Sequence, residues 1–251
     1  MLCIITKNSL LRQWQIVNRK PLRSALAFLT DTLQQPRNGC RLTVAFAGFS
    51  RYYATMAARN APDHYSQRAK AEGYLARSVY KLEELDQKCS LLKSGGNYLD
   101  MGAAPGSWTQ YILGKLDKKS HLVSVDMLEI HSRGQEKQHT VIIGDMYDAE
   151  IEKQISRHGP YNGLFSDAAP ATTGVRSIDT SASAGMAEYL IQLGRQVLLP
   201  GGNLVVKIFM GGEEQELLRA LRHEYQTAKQ LKPQACRKES FEVYLVGLGR
   251  K

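Results

Sequence analysis

Four apolar runs of the 251-residue chain close on carboxylates, and a fifth holds a lysine in its middle. Tyr98-Leu99-Asp100, His121 to Asp126, Val141 to Asp145 and Tyr161 to Asp167 each read as a buried strand with an acid at or near its end. Leu204-Val205-Val206-Lys207-Ile208-Phe209 is the fifth. Lysine is almost never fully buried unless it is paired. Lys207 must therefore snorkel or meet a carboxylate, and Asp167, at the end of the preceding strand, is placed to lie beside it. Two readings follow: a buried ion pair, or a base whose neighbours set its protonation.

The first acid opens a glycine turn, Asp100-Met101-Gly102-Ala103-Ala104-Pro105-Gly106-Ser107-Trp108, ahead of a segment with apolar residues at helical spacing. Glycines lack a Cβ, so a ligand can approach the backbone at Gly102 and Gly106, and the helix that follows offers unpaired amides. At the end of the first strand of an α/β sheet, this is where a nucleotide-like cofactor sits. Taken alone, the same turn also joins a strand to a helix with no ligand. The spacing is G-x-x-P-G, neither the dinucleotide fingerprint nor the G-x-x-x-x-G-K-[ST] phosphate loop. Asp126 follows about 20 residues on, where a ribose diol is bound. Three acids at strand ends suit a neutral-to-cationic adenosyl ligand better than a polyphosphate. The expected cofactor is S-adenosylmethionine, held by Asp100, Gly102, Ala103, Ala104, Pro105, Gly106, Ser107 and Trp108, with Asp126 on the ribose, Asp145 near the adenine, and Asp167 at the same cleft.

The elements that must position these groups alternate. The patterning predicts a helix over Ser78 to Cys89, with Val79, Leu82 and Leu85 on its apolar stripe and Lys81 off it, on the face that is ordinarily solvated. Strands at 97–101, 121–126, 139–144, 161–167, 203–209, 228–231 and 240–248 interleave with helices at 106–116, 148–157, 178–199 and 213–225. This implies an α/β fold with a mainly parallel sheet and helices on both faces. Ahead of it, Tyr65 to Ser78 is polar and basic with interleaved tyrosines. Arg68, Lys70 and Arg77 there suit a nucleic acid backbone, or the segment is a solvated connector.

Charge is unevenly spread. The chain carries +9, of which +8 falls in residues 1–62, where nine Lys and Arg face one acid, Asp31. Two units follow: a basic arm, 1–62, and a nearly neutral domain, 63–251. The arm is Arg-rich and almost acid-free, the composition of a mitochondrial presequence. An arm that touches RNA or a partner is the alternative. No apolar run is long enough to cross a membrane. Cys3, Cys40, Cys89 and Cys236 are scattered, which suggests neither a disulfide framework nor a metal site.

From about Tyr65 to its end the chain resembles the FtsJ-type RNA ribose 2′-O-methyltransferases. The resemblance rests on Arg77-Ser78-Val79-Tyr80-Lys81-Leu82-Glu83-Glu84, the stretch Leu99 to Trp108, Ser166-Asp167-Ala168-Ala169-Pro170, Gly201 to Lys207, and Ser240-Phe241-Glu242-Val243-Tyr244, in the family's order. Two places depart from the pattern. Gly106-Ser107-Trp108 stands where Gly-Gly-Trp is usual, and Ala168-Ala169-Pro170-Ala171 stands where Met-Ala-Pro-Asn is usual. The resemblance implies a class I methyltransferase sheet of about seven strands with the last antiparallel, and a Lys-Asp-Lys-Glu tetrad on Lys81, Asp167, Lys207 and Glu242.

A ribose 2′-hydroxyl is a poor nucleophile at neutral pH and needs a base or a cationic neighbour. On the tetrad, Lys207 is the expected base, Asp167 and Glu242 its orienters, and Lys81 the group holding the ribose oxygen or phosphate. The resemblance is closest to enzymes of large-subunit rRNA, so the expected partner is that rRNA or a pre-ribosomal particle. With the arm, this points to the mitochondrial matrix, the cytoplasm being the alternative. Methylation of tRNA or of mRNA caps, and a non-catalytic ribosome assembly factor, are the competing readings.

Overall fold

The structure, a computed structural model, describes residues 63–131 and 136–251. The basic arm and the import reading attached to it lie outside the described residues. Among these, no helix is long and apolar enough to cross a membrane.

The elements run α1 (His64–Ala71), α2 (Val79–Cys89), β1 (Asn97–Met101), α3 (Ser107–Lys115), β2 (His121–Asp126), β3 (His139–Ile143), α4 (Ala149–His158), β4 (Tyr161–Ser166), α5 (Arg176–Val197), β5 (Leu198–Phe209), α6 (Glu213–Glu224), β6 (Tyr225–Leu231) and β7 (Glu242–Arg250). The seven strands form one sheet in the order β3-β2-β1-β4-β5-β7-β6. β1 to β5 are parallel, and β7 runs antiparallel to both β5 and β6. This is the class I methyltransferase arrangement. Strand order reverses between β1 and β4, and at such a point a cleft opens beyond the carboxyl ends of the strands.

Alternation along the strands sorts the core into two layers. Leu99 and Met101, Leu204, Val206 and Ile208, and Val243 and Leu245 face α4, α5 and α6. Tyr98, Val205, Tyr244 and Val246 face the opposite way, onto α2 and α3. Successive side chains on a strand point to opposite faces, so Asp100 shares the face of Tyr98, Lys207 that of Val205, and Glu242 that of Tyr244. All three polar groups are thus turned toward α2 and α3.

Three parts of the patterning read differently in the structure. The segment read as a stretch that meets nucleic acid, or else as a connector, contains α1, whose first turn is capped by Asp63 accepting from Ser66 N at 2.9 Å. β5 begins at Leu198, before Pro200-Gly201-Gly202, because the register jumps from Tyr161↔Leu198 to Gly163↔Asn203. Gly201, at φ +77°, absorbs that irregularity. β6 starts at Tyr225, directly after α6, and is longer than its sparse apolar content suggests.

Candidate active site

The turn after β1 is tied to the end of β2: Gly102 N and Ala103 N both donate to Val125 O, at 2.9 and 3.1 Å. Gly102 has φ +71°, and a Cβ there would stand 2.4 Å from Ala168 Cβ. Gly106 has φ +116°, and its Cβ would meet His131 O at 2.6 Å. The two glycines are therefore required by the neighbouring chain and the left-handed backbone.

Ala104 N donates to Asp126 Oδ2 and Leu128 N to Asp126 Oδ1, both at 2.9 Å. Tyr147 N donates to Asp145 Oδ1 at 3.1 Å. These carboxylates edge an open cleft of about 300 Å³, lined also by Gly102, Ala104, Met127, Tyr147, Asp167 and Met186. No lysine or arginine is among its lining residues. Acids and flat or thioether apolar groups in this combination fit an adenosyl ligand with a cationic centre and do not fit a polyphosphate. A smaller hollow adjoins it, bounded by Ser78, Asp100, Ala103, Ser107 and Trp108, and Gly102 and Asp167 line both. Pro105 and Gly106 line neither.

Asp100 is 1% exposed and does not edge the open cleft. Thr109 Oγ1 donates to its Oδ2 at 2.7 Å, and a buried run continues through Ser124 Oγ to His139 Nε2. Burial pushes the Asp100 carboxyl up to about 7, against the pull of the Thr109 hydrogen bond. Trp108 is packed inward: its ring lies 5.9 Å from that of Tyr244, and Nε1 donates to Ser78 O at 2.9 Å. Ser107 Oγ meets Ser78 Oγ at 2.7 Å. These two residues fix α2 to α3 as much as they bound the hollow.

The four tetrad residues come together from four elements or their ends. Asp167, just past β4, places Oδ1 3.0 Å from Lys207 Nζ and 3.6 Å from Lys81 Nζ. Glu242 Oε1 lies 2.9 Å from Lys81 Nζ. Lys207 also donates to the Asp167 carbonyl. Side-chain exposures of 11, 17, 9 and 13% for Lys81, Asp167, Lys207 and Glu242 keep these pairings largely out of reach of solvent screening. Two expectations change. Lys81 is buried rather than solvated, because two carboxylates face α2 at its position. Glu242 is the ion partner of Lys81 and not an orienter of Lys207, since β7 brings it under α2. Burial pulls the Lys81 ammonium down, but Asp167 and Glu242 outweigh it and hold it above the ordinary lysine value.

Two further residues belong to the cluster. Tyr244 OH donates to Asp167 Oδ1 at 2.6 Å, and the Cys236 thiol, hydrogen-bonded to Glu242 and pushed by burial up to about 12, stays protonated. Tyr244 follows Glu242 by two positions on a strand, so period-two spacing alone puts it on the tetrad's face. Cys236 lies in the β6–β7 connection and has no such signal.

The basic residues expected to meet RNA are placed unequally. Arg68 pairs with Glu72 at 2.7 Å and lies 4.2 Å over the Tyr80 ring. Arg77 pairs with Asp63, donates to Ala235 O and lies 5.3 Å over Tyr65. Tyr65, one of the tyrosines that suggested base stacking, thus holds a guanidinium of the same chain. Lys70 is exposed.

The FtsJ-like methyltransferase family matches residues 74–250. The chain belongs to that family. Among its relatives is the ribosomal RNA large subunit methyltransferase E of Treponema denticola, 45% identical over 190 residues that cover 76% of this chain and 96% of the relative. The protein of the same name from Borrelia garinii subsp. bavariensis is 46% identical over 185 residues, 74% of this chain and 95% of the relative. A crystal structure described as a ribosomal RNA methyltransferase of Plasmodium falciparum superposes with a TM-score of 0.62 at 26% identity. It covers 70% of this FtsJ-like chain and 98% of the other.

Proposed function

We propose that this FtsJ-like methyltransferase moves a methyl group from S-adenosylmethionine to a ribose 2′-hydroxyl of large-subunit rRNA. The observation that carries the reading is the position of Asp167. It lines the cleft with Gly102, Asp126 and Asp145, and it also receives both lysines. The cofactor pocket and the ion cluster therefore meet at one residue, which is what in-line transfer between two bound molecules needs. The relatives' names supply the RNA class.

Bound in the cleft, S-adenosylmethionine would supply a methyl group already activated on a sulfonium, with the thioether as leaving group. Asp126 would hold the adenosyl ribose and Asp145 would lie on the adenine side. Lys81, held cationic by Asp167 and Glu242, fixes the ribose oxygen or an adjoining phosphate. Lys207 Nζ accepts the hydroxyl proton, and the carbonyl and carboxylate of Asp167 aim it. Lys70, exposed on α1, and Arg68 beside it are the candidate contacts to the RNA backbone. The experiment is a map of ribose methylation across cellular RNA with and without the protein. Loss at a large-subunit rRNA position is expected. Loss confined to tRNA or caps would reassign the substrate, and an unchanged map would leave an RNA-binding assembly factor.

We also propose that the arm directs import into mitochondria. It supplies +8 of the net charge and precedes the family match, which begins at residue 74. A fluorescent fusion of residues 1–62 should accumulate in mitochondria, and diffuse signal would leave only an RNA- or partner-binding arm.

A further inference from the structure

We infer that Phe209 and Phe241 form a stacking platform for an RNA base next to the methylated nucleotide, with Arg176 beside it at the phosphate. The inference rests on the RNA-methyltransferase reading and adds a binding subsite to it.

Neither ring belongs to the core. Phe165, the third phenylalanine among the described residues, is wholly buried, whereas Phe209 and Phe241 stand outside both core layers and are only half-buried. Their centroids are 4.8 Å apart at an interplanar angle of 62°, edge against face, so the pair engages only one face of one ring. An aromatic pair that packs no core needs another use.

Register places the pair beside the tetrad. Phe209 lies opposite Glu242, and Lys207 lies opposite Tyr244. Phe209 is two residues beyond Lys207 on β5, so both project from the same face, with the ring roughly 6–7 Å further toward the strand's carboxyl end. Met210 N donates to Phe241 O at 2.8 Å and holds the two segments together. A nucleotide whose ribose sits at Lys207 has its neighbour's base within reach of these rings.

The third side is cationic and preformed. The Arg176 guanidinium lies 5.3 Å from the Phe241 centroid, and Val175 and Ile178 beside it are 51 and 53% exposed. Buried Asp179 gathers the loop before α5, accepting from Thr173 N, Thr173 Oγ1 and Gly174 N at 2.7, 2.8 and 3.1 Å. That lip is therefore held in place without ligand. Ring faces accept any base, and a guanidinium both lies against π-systems and pairs with phosphate. An exposed apolar lip could equally receive a protein, but the position one pleat from Lys207 favours RNA.

The test uses the full chain and a labelled single-stranded oligoribonucleotide of about 12 nucleotides, read by anisotropy, beside a titration with S-adenosylmethionine. Phe241→Ala and Phe241→Leu should each bind RNA about 10-fold more weakly, and Phe241→Trp should match or exceed the parent. Arg176→Gln should lower the slope of log affinity against log salt by about 1. Cofactor affinity should be unchanged in all four, which also shows that they fold. Parental affinity in Phe241→Ala would overturn the platform. So would parental affinity in Phe241→Leu, since mere apolar area would then suffice and a protein would be the better occupant. A parent that methylates large-subunit rRNA while the Phe241 variants bind normally defeats this inference alone. A parent that neither binds nor methylates RNA defeats the reading beneath it as well.

Discussion

Tyr244 donates its hydroxyl to the same Asp167 oxygen that receives Lys207. Burial, and then Asp167 and Glu242, hold the phenol well above its ordinary value, so it remains a donor throughout the working range of pH. Asp167 is thus aimed by a neutral hydroxyl as well as by the two lysines. Tyr244→Phe deletes the hydrogen bond and keeps the ring against Trp108. A hydrogen bond to a charged group contributes about 1.5–3 kcal/mol, so single-turnover methyl transfer should slow by roughly 10- to 100-fold. Cofactor affinity should stay within a few-fold. An unchanged rate would mean that the lysines alone orient Asp167.

Lys207 carries the proton transfer in the proposed reaction. Lys207→Ala removes the acceptor but leaves the Gly102 turn and Asp126 untouched. Loss of a general base typically costs about 10²–10⁴ in rate. Methyl transfer should fall by that factor while a cofactor titration stays near the parent's. Lys207→Arg should fail too, because a guanidinium does not accept a proton at neutral pH. A near-normal rate in Lys207→Arg would make Lys207 a positioning cation.

How far the sequence was legible differs between these residues. Lys207 declared itself, since an ammonium inside an apolar strand needs a partner, and Asp167 is that partner. The parallel sheet with an antiparallel β7 was equally readable, through alternation of strand and helix and the family resemblance. Lys81 was legible only through the family resemblance: helical spacing put it off the apolar stripe, and its burial depends on Asp167 and Glu242, which are far from it in sequence. The partners of Arg77 were hidden for a related reason. Its contacts to Asp63 and Ala235 join segments 14 and 158 positions away, and local composition holds no record of either.

The Gly102–Ala168 contact yields a paired test. Gly102→Ala combines a left-handed φ of +71° with a Cβ placed 2.4 Å from Ala168 Cβ. The backbone alone costs about 1–2 kcal/mol for a residue with a Cβ, and the clash adds displacement of the loop that carries Asp167. Thermal stability and cofactor affinity should both drop. Adding Ala168→Gly removes the 2.4 Å contact and leaves a 3.1 Å approach to the residue 168 Cα and the backbone cost, so the double variant should recover part of the cofactor affinity. No recovery would show that the dihedral, and not the packing, demands glycine there.

Asp100 and His139 stand at opposite ends of one buried hydrogen-bonded run, and their titrations act in opposite directions. With its carboxyl at about 7, folded Asp100 keeps a proton that an unfolded aspartate releases near pH 4. Between those values the folded chain binds more protons than the unfolded one, so this group's contribution to stability falls as pH rises from about 4 to about 7. His139, pulled by burial down to about 4, binds fewer protons folded than unfolded, so its contribution rises between about 4 and 6.5. The two slopes offset each other in the parent. Asp100→Asn can still accept from Thr109 but cannot ionise. Its thermal midpoint should match the parent's near pH 4 and exceed it by a growing margin up to about pH 7, where the difference levels off. Melting curves of both proteins across that range check the sign directly. A constant difference would mean that Asp100 does not titrate in the folded chain over this window.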